Sequence, residues 1–105
     1  MIIVVARLKA REEKAEEVER ELRGLVEYVR NEERGTLTFV CLRGLEDPTQ
    51  FTFYERYRDK RALSVHQSSV RLRSMLKRIK PMLDGELVAE TYEEIAGKRS
   101  MASLG

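Results

Sequence analysis

Tryptophan is absent from this chain, and cysteine and histidine occur once each. A lone cysteine, Cys41, excludes an internal disulfide and makes a reducing cytoplasm the expected setting. One histidine and one cysteine cannot build a transition-metal site within a single chain, so no metal or other cofactor is expected. The apolar start of MIIVVARLK is far too short to span a membrane and lacks the small-residue cleavage pattern of a signal peptide. Charge of one sign is also scarce in the balance: the formal net charge is +2, too small to argue for a nucleic-acid or membrane partner.

What is present suits one globular domain. The chain has 105 residues, 42% of them hydrophobic and 36% charged, enough for one compact unit and too few for two. Residues 1–96 read as that domain. The stretch 97–105, within AGKRSMASLG, has no apolar period and reads as a flexible tail.

Alternation and period divide the domain. Ile2 to Lys9 is a β-branched strand with Ile2, Val4, Ala6 and Leu8 on one face and Ile3, Val5 and Arg7 on the other. From Arg11 to Asn31 the period becomes helical, with Ala15, Val18, Leu22, Leu25 and Val29 in one stripe. Glu16–Arg20 and Glu19–Arg23 are pairs four residues apart, each contributing about 0.3 kcal/mol. Gly35 is expected to end this helix in the left-handed conformation. Thr36 to Arg43 is a second strand, with Leu37, Phe39 and Cys41 sharing a face. Phe51 to Arg58 is its hairpin partner, with Phe51, Phe53, Glu55 and Tyr57 together on one side. Asp59 is placed to cap a short helix to Gln67, and Ser68 or Ser69 to cap another that ends before Pro81. Glu86 to Glu94 is a last strand.

The order β-α-β-β-α-β is an α+β, ferredoxin-like plan: an antiparallel sheet with its helices on one face. Helices cover only one face of such a sheet, yet the strands are apolar on both. A second copy packed sheet to sheet, with two-fold symmetry and more than about 1,200 Å² buried in total, is the economical cover.

The segment EDPTQFTFYERYRDKRALSVHQSS, with KAREEKAEEVERELRGLVEYVRNEERG before it and ELVAETYEEI after it, resembles the antibiotic biosynthesis monooxygenase (ABM) domain, which includes small quinol monooxygenase-like proteins. The likeness runs from Met1 to about Ile95 and is sharpest from Glu46 to His66. It implies a dimeric α+β barrel. It also implies a cofactor-independent monooxygenase that oxidises a quinol or polyphenolic aromatic with O2. The substrate anion then supplies electrons to O2, and the protein supplies a dry aromatic pocket, a base and an oxyanion donor.

His66 is the candidate catalytic base. It shares an inward helical face with Ala62 and Leu63 and matches the histidine of the family's ALxxH element. A core histidine bonded to a backbone carbonyl or to a carboxylate such as Glu55 is the competing reading. Tyr57, which stands where many relatives carry tryptophan, is a candidate substrate contact, with Phe53 and Phe39 as aromatic walls. Glu55 requires a partner, for which His66, Arg7 and an arginine of a second copy compete. Arg7 is a candidate oxyanion donor, against the commoner outcome of a solvated strand end. Between Arg56 and Lys80 nine basic residues face one acid, Asp59, a bias that attracts an anionic substrate or simply coats a solvated face.

Rival functions carry less. RGTLTFV superficially resembles an RNA-recognition strand but falls on the second strand with the wrong aromatic spacing. Haem degradation in this family relies on a tryptophan and a first-strand asparagine, both missing here. A non-enzymatic dimer that binds a small ligand or serves regulation is the alternative. A cavity reaching His66 and Tyr57 favours ligand chemistry over a filled, structural interior.

Overall fold

Alternation along the first strand, β1 (Ile2–Lys9), sets the two sides of the molecule: Val4, Ala6 and Leu8 are buried, whereas Arg7 and Lys9 are exposed. A computed structural model describes residues 1–99; residues 100–105 of the expected tail lie outside the described residues. After a 3-10 turn at Glu12–Lys14 come α1 (Ala15–Glu32), β2 (Thr36–Arg43), β3 (Gln50–Tyr57), α2 (Lys60–Gln67), α3 (Val70–Ile79), a second 3-10 turn at Lys80–Met82, and β4 (Val88–Tyr92). The sheet is antiparallel in the order β2-β3-β1-β4. This is the expected ferredoxin-like α+β arrangement, with the long helical segment between β3 and β4 broken in two.

The buried side chains explain why the helices sit on one face. Ala15, Val18, Leu22, Leu25 and Val29 of α1 are all buried and cluster with Ala6, Leu8, Phe51 and Phe53 from the sheet and Met75 and Ile79 from α3. Burying a side chain such as Leu22 contributes about 1.5–3 kcal/mol, and truncating it to alanine costs about 2–5 kcal/mol. A smaller cluster of Val4, Tyr57 and Ala62 seats α2.

Both caps expected for the helical segment form. The Asp59 carboxylate accepts from the Ala62 N–H at 2.9 Å, and the Ser69 hydroxyl accepts from the Leu72 N–H at 3.2 Å. Pro81 is accommodated in the 3-10 turn after α3, where it ends the α-helical ladder.

Some local expectations are corrected. Gly35 is not left-handed, and Gly85, at φ +98°, is the positive-φ glycine among the described residues. Gly35 is needed for space: a Cβ there would lie 2.6 Å from the Ala62 Cβ. Leu37 does not join Phe39 and Cys41 in the core. The β2–β3 register slips between Thr36 and Thr38, leaving Leu37 as the extra, exposed residue of a bulge. The last strand is shorter than Glu86–Glu94, and all five of its residues are exposed. Glu19 does pair with Arg23, but Glu16 reaches across to Arg43.

The sheet face away from the helices carries Ile3, Val5 and Arg7 of β1 in register with Arg56, Tyr54 and Thr52 of β3. Val40 and Leu42 flank them on one edge and Val88 and Tyr92 on the other, each more than 40% exposed. Among the described residues, no helix is long and apolar enough to cross a membrane.

Candidate active site

The packing of α2 and α3 against the sheet leaves a cavity of about 320 Å³, at the lower end of the range for small-ligand sites. The sheet contributes Ala6, Phe39 and Phe53, α1 contributes Leu22 and Leu25, and α3 contributes Met75. Its polar lining consists of Glu55, His66 and Gln67. No lysine or arginine lines it, so the basic bias between Arg56 and Lys80 does not create a cationic site. Gln67, Leu87 and Ala89 are exposed lining residues, which places the mouth beside β4.

His66 sits on the inward side of α2, 5% exposed, with its ring 5.0 Å from that of Phe39 and 5.5 Å from that of Tyr57. Its Nδ1 lies 2.9 and 3.1 Å from the two carboxylate oxygens of Glu33. Thr36 donates its hydroxyl to the same carboxylate at 2.8 Å. Burial acts to raise the Glu33 carboxyl, but the hydrogen bonds from His66 and Thr36 and the His66 charge outweigh it and hold the group below its ordinary value. An ionised carboxylate only accepts, so Nδ1 carries the hydrogen that faces Glu33, and in the neutral ring the lone pair is on Nε2. Nε2 has no hydrogen-bond partner among the described residues.

Glu33 was missing from the sequence reading. The signal was there: Glu33 lies four residues beyond Val29, which extends the buried stripe of α1 by one more turn. Ending the helix at Asn31 hid it. In the structure the helix runs to Glu32, Glu33 is its C-cap, and the Glu33 N–H still bonds the Val29 carbonyl at 3.0 Å. The pair also divides two spaces. His66 lines the inner cavity, while Glu33 lines an outer groove of about 400 Å³ with Arg34, Gly35, Arg58, Asp59 and Arg61.

Glu55 projects from the middle of β3 and is 5% exposed. Its hydrogen-bond partner within the chain is neither His66 nor Arg7: the Tyr57 hydroxyl donates to Oε1 at 2.5 Å. Burial pushes the Glu55 carboxyl up, an effect that the Tyr57 bond and His66 only partly offset and the Glu33 charge reinforces. Burial, followed by the Glu55 charge and hydrogen bond, likewise raises Tyr57.

Of the remaining expected site residues, Phe39 and Phe53 line the cavity with their rings 5.0 Å apart. Tyr57 does not line it. Fully buried, it stands behind Glu55 and against His66 as a support. Arg7 does not line this cavity: strand parity puts it on the opposite face, exposed and 3.4 Å from Glu90. Cys41 is half-buried; burial and then the Glu19 charge push its thiol to about 11, which keeps it protonated and unreactive.

A larger concavity of about 600 Å³ lies between α1 and the edge strand β2. Its Arg43 is already engaged by Glu16, Glu19 and the Phe51 ring. That cleft pairs Arg43 and Arg23 with Glu19, whereas the inner cavity sets the His66 ring in a mostly apolar wall.

Comparison with known proteins agrees with this fold. The family model described as antibiotic biosynthesis monooxygenase matches residues 1–78. A protein from Pseudomonas aeruginosa is 27% identical, with a TM-score of 0.82 over 90% of this chain and 94% of that one. A candidate antibiotic biosynthesis monooxygenase from Caulobacter crescentus CB15 is 26% identical, with a TM-score of 0.84 over 90% of each chain. A conserved protein from Methanosarcina mazei Go1 is 26% identical, with a TM-score of 0.81 over 89% of this chain and 91% of its own. No curated protein matches the sequence.

Proposed function

Because the chain belongs to the antibiotic biosynthesis monooxygenase family, we propose that its inner cavity binds a compact hydroxylated aromatic, a quinol or polyphenol, and that His66 is the base that starts its oxygenation by O2. The observation that carries this reading is the Glu33–His66 pair, with Nδ1 committed at 2.9 Å and Nε2 unpartnered among the described residues beside a mostly apolar cavity. A base held in one tautomer by a carboxylate is pre-organised to take a proton from a phenolic hydroxyl. The resulting anion is electron-rich enough to reduce O2 itself, so the reading needs no metal or flavin. Phe39 and Phe53 offer the aromatic walls, and the lack of a cationic side chain favours a guest that enters uncharged.

The same reading includes a second copy over the open sheet face. Val40, Leu42, Val88 and Tyr92 are exposed there around Val5 and Tyr54, an apolar surface that a two-fold partner would bury. The non-enzymatic alternative, a dimer that binds a small ligand, shares the cavity but gains less from an imidazole held in place by a carboxylate.

The test is O2 uptake with a panel of hydroquinones by the wild-type protein and by His66→Asn. Turnover by the wild type that falls at least about a hundredfold in the variant supports the assignment. Equal turnover by both removes His66 from the chemistry.

A further inference from the structure

Glu55 is the other titratable group in the cavity, and its two oxygens differ. Oε1 accepts from the Tyr57 hydroxyl, whereas Oε2 has no hydrogen-bond partner among the described residues. The one buried side-chain polar atom without a partner among those residues is Arg71 Nη1. Oε2 is therefore not sealed in protein but borders open space, and the open space beside Glu55 is the cavity. The charged and titratable groups that bear on Glu55 are His66 from α2, Glu33 from the end of α1, and Tyr57 on its own strand. Its register neighbours across the sheet, Val4 and Phe39, are apolar. A carboxylate in such a place has no lysine or arginine to hold its charge, and His66 only partly offsets its burial.

We propose that Glu55 is a second catalytic residue, a proton donor whose Oε2 faces the guest opposite the basic His66 Nε2, with Tyr57 as the positioning residue that fixes which oxygen faces inward. This rests on the oxygenase reading above. Both side chains line the same cavity, and a carboxyl facing an imidazole across a bound guest divides acid and base work in this way.

The proton balance closes over one turnover. The hydroquinone O–H breaks as Nε2 takes its proton. The anion gives two electrons to O2, a ring C–O bond forms, and Glu55 protonates the distal oxygen to give a ring hydroperoxide. The Glu55 carboxylate then removes the hydrogen from the oxygenated ring carbon as the O–O bond breaks. A C=O forms, and hydroxide leaves with the proton held on Nε2. Hydroquinone and O2 become hydroxyquinone and water, and both side chains return to their starting states.

Glu55→Gln tests this in the full chain, since the amide oxygen still accepts from Tyr57 at nearly the same volume. With naphthohydroquinone as substrate, kcat is expected to fall at least about tenfold with KM within about twofold. O2 is expected to be recovered increasingly as hydrogen peroxide, because unprotonated peroxide anion dissociates before it can eliminate water. The loss of kcat at high pH, where the acid is spent, should vanish in the variant. Wild-type kcat, coupling and pH profile in Glu55→Gln would overturn the assignment. The infrared C=O stretch of a protonated carboxyl, assigned in wild-type protein by its pH titration, decides the matter even if the variant does not fold. If the wild type oxidises no hydroquinone, the oxygenase reading fails, and the same band still reports on Glu55. Its presence at neutral pH keeps Glu55 as the cavity's proton donor, and its absence removes it.

Discussion

Glu33 and His66 stand at the ends of different helical segments, and the Glu33 carboxylate holds the His66 Nδ1 at 2.9 Å with both residues under 10% exposed. Neither side chain has a buried role without the other. Glu33 alone would be a carboxylate in the protein interior with only Thr36 to bond it. His66 alone would be free to present either tautomer to the cavity.

That mutual dependence shapes what substitution at position 66 does. His66→Ala leaves the Glu33 carboxylate short of a donor and is expected to destabilise the fold by about 1–3 kcal/mol, read by urea denaturation at neutral pH. His66→Asn returns an N–H toward Glu33 and should recover most of that loss while still lacking the ring nitrogen that faces the cavity. Equal stability of wild type and His66→Ala would show that the pair contributes nothing to folding.

Stability against pH separates the two buried carboxyls. Glu33 is held below its ordinary value of 4.5, so its contribution is present above that value and disappears as pH falls through the folded pKa. Glu55 is raised, so its contribution is full below the ordinary value and disappears as pH rises through the folded pKa. Glu33→Gln should therefore flatten the limb of the stability curve below 4.5, and Glu55→Gln the limb above it. Denaturation midpoints measured across pH check both, and the opposite assignment of the two limbs would refute the signs.

Gly35→Ala and Gly85→Ala should fail for different reasons. At position 35 the added methyl meets the Ala62 Cβ at 2.6 Å and pushes α2 outward, costing about 1–3 kcal/mol and moving His66 relative to the cavity. At position 85 nothing lies within 4 Å, and the cost is the positive φ alone, about 1 kcal/mol. Thermal melts should rank the two in that order, with only Gly35→Ala altering ligand binding.

The open sheet face yields a prediction about assembly. Val40→Lys combined with Val88→Lys places charge on both margins of that face and should convert a dimer into a monomer in sedimentation velocity, with the circular dichroism of the wild type retained. A wild-type protein that sediments as a monomer at micromolar concentration would remove the sheet-to-sheet partner.

Much of this molecule is legible in the order of its residues, for reasons that are local. Alternation marks the strands. The three- and four-residue steps from Ala15 to Val29 mark α1, and Asp59 and Ser69 bond the N–H groups three residues ahead, as capping side chains do. The placement of Phe39, Phe53 and Glu55 on the helix-covered face also follows from parity. Parity likewise puts Arg7 on the other side, as a solvated residue of the open face. The Glu33–His66 contact was out of reach, since residues 33 positions apart meet only once α1 and α2 have both docked. Tyr57 shows a similar limit: the strand gives its direction, but the filling behind Glu55 decides that it supports the cavity without lining it.

The division of space by Glu33 and His66 gives the imidazole a wet back and a dry front. A guest that fills the inner chamber would not cut the site off from the medium, because the carboxylate behind the ring still borders the groove beside Arg58 and Asp59. The protonation of this pair can thus follow the surrounding solution while the chamber is occupied, with no flap needing to swing open.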